Sequence, residues 1–179
     1  MSELAALLRA IDFAAHKHRD QRRKGREAAP YINHPIGVAD TIARVGRVTD
    51  LVTLIAAVLH DTVEDTDTSF AEIEREFGPE VRGVVAEVTD DKTLPKGERK
   101  RLQVVNAPGA SRKAKLVRLA DKIMNVGDIT HDPPPDWPAA RRRDYFEWAK
   151  QVVDGCRGTN EALERQFDKV VAAGLASLV

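Results

Sequence analysis

Apolar positions Leu4, Leu7, Leu8, Ile11, Ala14 and Ala15 recur at i, i+3, i+4, i+7 spacing, which predicts an amphipathic helix ending near the basic run QRRKGREAAP. In PYINHPIGVADTIARVG, Asn33 is the expected cap and Pro35 falls in the first turn of a second helix that ends near Gly46. The segment DLVTLIAAVLHD is apolar on nearly every side after Asp50, so it reads as a buried central helix that delivers His60 and Asp61 at its C-terminal end. TSFAEIEREFGPE offers Ser69 as a cap with Glu72 three residues on, then Gly78 and Pro79 as a stop and a restart. Further helices are expected at about 80–89, 96–106, 112–126, 138–154 and 160–173, with NAPGAS and HDPPPDWP as loops. No segment alternates with period two, and no hairpin dipeptide links two apolar runs. The expected class is all-α, in a single domain of residues 1–179 without internal repeats.

Composition narrows the function classes. Of 179 residues, 42% are hydrophobic, enough for a real core. The 28 basic and 28 acidic side chains cancel, so no whole-molecule field draws the chain to nucleic acid or an anionic membrane, and phosphate recognition must be local. No stretch approaches the roughly 20 apolar residues of a membrane span. The N-terminal segment has acidic residues and helical periodicity where a signal peptide would have a basic start and an unbroken apolar block. Cys156 is the only cysteine, which excludes an internal disulfide or a cysteine zinc site and suggests a reducing, cytoplasmic setting.

Chemistry gathers in AAVLHDTVEDTDTSF. If the helix continues, His60 stacks beneath Glu64 and Asp61 beneath Asp65. A bare His-Asp pair is commonly a solvated helix end. Three clustered carboxylates, however, are costly to bury together unless a cation neutralises them. His34 opens the second helix, and Asp121 borders the apolar stripe Leu116, Leu119, Ala120, Ile123, where Arg118 or Lys122 is the bland ion-pair partner. Asn125 lies one turn beyond Asp121 on the same side, where a substrate-binding amide belongs. The basic runs Arg22–Lys24 and Lys92–Arg101 read first as solvated charge, and Phe146 and Trp148 as helix-packing aromatics.

Taken in order, NHPIGVA, LHDTVEDT and LADKIMN form an H…HD…D pattern that resembles the HD-domain metal-dependent phosphohydrolases. More narrowly, RRK, YINHPIGVA, VTDDKTLPKGERKRLQV and YFEWAKQVV are similar to the stand-alone small alarmone hydrolases of the metazoan SpoT homologue type, from about residue 4 to residue 170. The resemblance implies a helical bundle in which His34, His60, Asp61 and Asp121 bind one divalent ion, commonly manganese; two imidazoles and two carboxylates suit manganese or iron(II), and tetrahedral zinc is a further option. It further implies that Glu64 and Asp65 act on the nucleophilic water. Arg23 and Lys24 match a substrate-contacting pair beside the nucleotide, and Lys96 and Tyr145 match positions lining the same cleft. The implied reaction removes the 3′-pyrophosphate of guanosine tetra- or pentaphosphate. The chain is too short to add a synthetase domain. Two other readings keep the site: a phosphatase for another ribose-phosphorylated nucleotide such as NADPH, and a nucleotide sensor without turnover. Retention of Glu64 and Asp65 disfavours the sensor, because a binder needs no water-activating pair. Met124 and Gly127 stand where such relatives usually carry an aromatic or histidine and an arginine, which predicts one basic contact fewer near the substrate.

Overall fold

The computed structural model describes residues 2–178, and among them the regular structure is helical, with one isolated bridge between Arg22 and Pro30. Helix α1 (Glu3–Lys17) starts at Ser2, whose hydroxyl accepts from the Ala5 amide. Helix α2 (Asn33–Asp40) runs on through a π turn, Thr41–Val45. Asp50 caps α3 (Leu51–Leu59), and α4 (Thr62–Asp65) is a single turn. Ser69 caps α5 (Phe70–Phe77) as expected; Gly78 then takes φ +89°, which only glycine adopts freely, and Pro79 opens α6 (Pro79–Val88). Helices α7 (Lys96–Asn106), α8 (Arg112–His131), α9 (Ala139–Asp154) and α10 (Glu161–Ala176) complete the order.

Helix α8 runs through the middle because two of its faces are apolar. Ala114, Val117 and Ala120 join Ala10, Val38, Ile55, Leu59 and Val85 from α1, α2, α3 and α6. Leu116, Leu119, Ile123 and Val126 meet Phe146, Val152 and Phe167 from α9 and α10. Each large side chain so buried contributes roughly 1.5–3 kcal/mol. Phe146, fully enclosed, would leave a cavity costing about 3–5 kcal/mol on truncation to alanine. No helix among the described residues is long and apolar enough to cross a membrane.

The structure corrects several local expectations. Asn33 does not cap α2: Ile32 before it is already helical, Pro35 has no N–H, and the Ile36 amide donates to the Ile32 carbonyl at 3.2 Å, so no free amide is left for the Asn33 side chain. On α1 the buried positions are Ala10 and Ala14, whereas Leu4 and Leu8 are 67% and 56% exposed, because the stripe that meets α3 is rotated away from them. Helix α8 runs five residues past 126, to His131, because Val126 and Ile129 extend its buried face; Gly127 is merely a weak interior residue, and Pro133 follows the stop.

Candidate metal centre

Three segments converge on one point. His34 sits in the first turn of α2, Asp121 in the middle of α8, and His60 and Asp61 at the break between α3 and α4. The chain does not continue as one helix here: Asp61 has φ −99° and ψ −5°, and its carboxylate lies beside His60, while the Asp65 amide still donates to the Asp61 carbonyl at 2.8 Å and the pair stays one turn apart as expected. His34 Nε2 lies 3.1 Å from Asp121 Oδ1 and 3.8 Å from Asp61 Oδ2. His60 Nε2 lies 3.0 Å from Asp61 Oδ2 and 3.7 Å from Asp121 Oδ1. Two nitrogens and two oxygens thus alternate around a ring.

The donor set fits a cation. His60 Nδ1 faces the Ala57 carbonyl at 2.8 Å, so that nitrogen carries the proton and the Nε2 lone pair points into the ring. His60 Nε2 is buried with no hydrogen-bond partner, and donor atoms of His34, His60 and Asp121 all lie within 4.8 Å of one another. Without an ion the cluster competes for protons. Burial opposes charge on both imidazoles, and it leaves His34 below its ordinary range. At His60 the adjacent Asp61 and Asp121 overcome burial and push the imidazole well above it. Burial would raise Asp61 and Asp121 as well, but His60 and Lys122, respectively, hold their carboxyls low. Protons and a metal therefore contend for the same lone pairs.

Around the ring the structure supplies partners that the sequence did not single out. The Tyr31 hydroxyl donates to Asp61 Oδ2 at 2.6 Å and lies 3.2 Å from Asp65 Oδ2; burial, then the Asp61 charge, push its pKa far up, so it stays a donor. His18 is buried, stacks on Tyr31 at 4.8 Å and meets Gln21 Oε1 at 2.6 Å, while Gln21 Nε2 donates to the Asp65 carbonyl. The signal was present: His18 extends the Ala10, Ala14 stripe by one turn. Lys122, not Arg118, pairs with Asp121, at 2.9 Å. Its ammonium sits 4.6 Å from the Trp148 ring, with Lys100 4.5 Å from the same ring.

Glu64 lies in the wall of a cavity of about 190 Å³ shared with His34, His60, Asp61, Asp65 and Asp121. Burial, aided by Asp90, Asp61 and Asp65 and opposed by the Asp90 amide at 3.0 Å, raises its carboxyl to about 7. Asp65 also pairs with Lys92. Arg23 is brought to the site, donating to Asn125 Oδ1 at 2.7 Å and to Asp128 at 2.7 Å, while Asn125 Nδ2 donates to Asp121 Oδ1 at 2.6 Å. Tyr145 lies against Trp148 and Lys100, with burial pushing its hydroxyl up to about 12. Lys24 and Lys96 are exposed and do not line this cavity. Met124 faces α2, where its sulfur accepts from the Thr41 hydroxyl at 3.6 Å and its methyl covers Gly37. Gly127 faces open space, roughly 120° around α8 from Asp121 at 3.6 residues per turn, so neither position directly lines the ring.

The ring of two histidines and two aspartates on an all-helical frame agrees with comparison to known proteins. The HD domain family matches residues 10–145. The chain belongs to the HD domain family. Among HD proteins it is 60% identical to guanosine-3′,5′-bis(diphosphate) 3′-pyrophosphohydrolase MESH1 of Mus musculus over 94% of each chain, and 50% identical to that of Drosophila melanogaster over 93% of each. A solved HD structure, that of a metazoan ortholog of SpoT that hydrolyzes ppGpp and plays a role in starvation responses, superposes with a TM-score of 0.90 at 50% identity, covering 93% of both chains. The HD fold implies a divalent metal, and the ring described above is where this chain would hold it.

Proposed function

We propose that this chain is a metal-dependent hydrolase that removes the 3′-pyrophosphate from guanosine 3′,5′-bis(diphosphate), giving GDP and pyrophosphate, and GTP from the pentaphosphate. The observation that carries the reading is the alternating ring of His34, Asp121, His60 and Asp61, found in a chain that shares 60% of its residues with a 3′-pyrophosphohydrolase. Those four residues would hold one divalent ion, manganese in our reading, with iron(II) and zinc compatible with the same donors. When bound, the ion supplies Lewis acidity at the phosphoryl oxygen and acidifies the attacking water.

The protein's own groups do the rest. Glu64, held near neutrality by burial, takes the proton of the attacking water as general base. Asp65, anchored by Tyr31 and Lys92, orients that water. Arg23 and Asn125 position the nucleotide, with Lys24 beside them, while Lys96, Lys100 and Tyr145 attract the phosphates at the other side. Residues 1–179 act as one HD domain, and the lone buried Cys156 suits the cytoplasm.

The test incubates manganese-loaded protein with guanosine tetraphosphate, guanosine pentaphosphate and NADPH and separates the products. Equimolar GDP and pyrophosphate from the tetraphosphate is the expected result. Orthophosphate from NADPH with no cleavage of either guanosine substrate would replace this reading with the phosphatase, and no turnover of any of the three would leave a sensor.

A further inference from the structure

A second cavity, of about 550 Å³, adjoins the metal centre between α6, α7 and α8, and the two share Gln103 and Arg118 in their walls. Its polar groups are unevenly satisfied. The carboxylates that line it are already engaged: Asp90 Oδ2 accepts from Gln103 Nε2 at 2.7 Å, Asp91 Oδ1 from the amide and hydroxyl of Thr93, and Glu87 Oε2 from the Ser111 amide at 2.7 Å. The open valences belong to the cations. Arg118 is only 7% exposed; it donates through Nη2 to the Glu87 carbonyl, its Nε has no partner, and no carboxylate pairs with it among the described residues. Arg99 Nε is buried and unpartnered as well, while its Nη1 lies 3.6 Å from Glu64 Oε1. Gln103 Oε1 is a third buried atom without a partner.

A guanidinium buried without a counter-charge is costly, and a bidentate oxyanion relieves that cost. Two guanidiniums with free Nε–H groups, plus one amide oxygen able to accept from a P–OH or a water, define a site for a phosphate-class anion. We propose that this cavity receives the inorganic pyrophosphate cleaved at the metal centre and holds it on Arg99 and Arg118 before release. The proposal rests on the hydrolase reading above. Within that reading, the adjoining wall carries Glu64 on one side and Arg99 on the other, so the leaving group has a short route from metal to guanidinium. The substrate's 5′-diphosphate has cations of its own at Lys96 and Lys100.

The chemistry is shared by both ends of the substrate, so the experiment must separate them. Inorganic pyrophosphate is titrated by calorimetry into full-length protein freed of metal with chelator, and its inhibition constant is measured in the manganese-loaded enzyme. Two variants are compared with wild type. Arg118→Gln removes the buried cation. Gly109→Glu places a carboxylate in the cavity lining, where an added side chain meets nothing within 4 Å and the backbone needs no special conformation, so folding is preserved even if Arg118→Gln fails to fold. Metal-free wild type should bind pyrophosphate, and both variants should weaken that binding and raise the inhibition constant about tenfold or more. For Gly109→Glu, the KM for guanosine tetraphosphate should stay within about twofold.

Wild-type affinity in the Gly109→Glu protein, or no binding by metal-free wild type, would overturn the proposal. So would a rise in KM that disappears with a guanosine 3′-diphosphate lacking the 5′-phosphates, since the cavity would then hold the substrate's other end. Pyrophosphate binding is measured without turnover, so its loss and a failure of the hydrolase reading remain distinguishable.

Discussion

The metal ring and the basic rim around it are built in opposite ways. The ring residues are buried or half-buried, and three of the four are fixed by a further partner, His60 by the Ala57 carbonyl, Asp61 by Tyr31, and Asp121 by Lys122 and Asn125, while His34 is held by burial alone, its Nδ1 having no partner among the described residues. On the rim, Lys24 and Lys96 are exposed and make no side-chain hydrogen bond among the described residues, whereas Arg23 is locked onto Asn125 and Asp128. The ring is therefore pre-organised, whereas most of the recognition we propose rests on exposed point charges. Change in the ring should abolish function outright, and change on the rim should adjust it.

The largest effect that would test this contrast is loss of a ring residue. Asp121→Ala should lose the metal and reduce kcat by about three orders of magnitude or more, as removal of an ion that activates the nucleophile demands. Metal removal from wild type should also lower Tm. An ion present at a hundred times its Kd adds about 2.7 kcal/mol, roughly 5–11 °C for a chain of this size. Full activity of Asp121→Ala with stoichiometric metal would erase the distinction between ring and rim.

Next in size is Glu64→Gln, which should keep the metal and lose about 10²–10⁴-fold in turnover. The Glu64 carboxyl is raised to about 7, so in wild type the active carboxylate is lost as pH falls below that value, and log kcat/KM should drop on the acid side. The positive ion nearby lowers the limb, placing it at or below pH 7. The sign for stability is the reverse. A raised folded-state pKa favours folding while the group is neutral, and that contribution disappears as pH rises through about 7. Metal-free Glu64→Gln should thus gain on wild type above pH 7 in urea titrations, and equal midpoints at pH 6 and pH 8.5 for both proteins would contradict the burial assigned to Glu64.

Smaller still is Tyr31→Phe. It removes the hydrogen bond to Asp61 while preserving the ring against His18, and such outer partners are worth about 10–100-fold in metal affinity. Competition with a fluorescent chelator measures it; unchanged affinity would mean that Asp61 needs no anchor. The smallest effect is expected on the rim. Arg23→Ala should raise KM about tenfold through loss of a charge-assisted contact and its hold on Asn125, and Lys24→Ala by only a few-fold, both with unaltered metal content. A greater loss for Lys24→Ala than for Arg23→Ala would invert the ranking that their burial suggests.

The helices are legible in the sequence because caps and apolar stripes act locally, whereas His34, His60, Asp61 and Asp121 are grouped by the H…HD…D resemblance, since no local pattern says that residues 34, 60 and 121 meet. Asp50, Ser69 and the run Leu51–Leu59 behave as their neighbours in the chain dictate. What is not legible depends on geometry at a distance. The break at Asp61 sets its carboxylate beside His60 while Tyr31 also ties it to Asp65, the Ile36 amide that Asn33 would cap is already taken by Ile32, and α8 ignores Gly127 because tertiary burial of Ile129 outweighs about 1 kcal/mol of propensity. Likewise nothing local says that Met124 covers Gly37 or that Arg118 turns from Asp121 to a carbonyl of α6.

One feature of α8 bears on how such a chain can change. The Asp132 carboxylate accepts the Arg26 and Glu27 amides, and it comes so near Gly25 that a Cβ there would lie 1.9 Å from Oδ2, so only glycine lets the loop bearing Arg23 dock. Asp121, Asn125, Asp128 and Asp132 fall at intervals of four, three and four residues, so at about 100° per residue they share one line along the helix. A single register therefore serves a ring carboxylate, an amide, an arginine anchor and a loop anchor. Side chains between them can be exchanged singly, but one inserted or deleted residue swings everything downstream by about 100° and uncouples the loop from the metal. The span from 121 to 132 should consequently tolerate substitution in its spelling and refuse any change in its length.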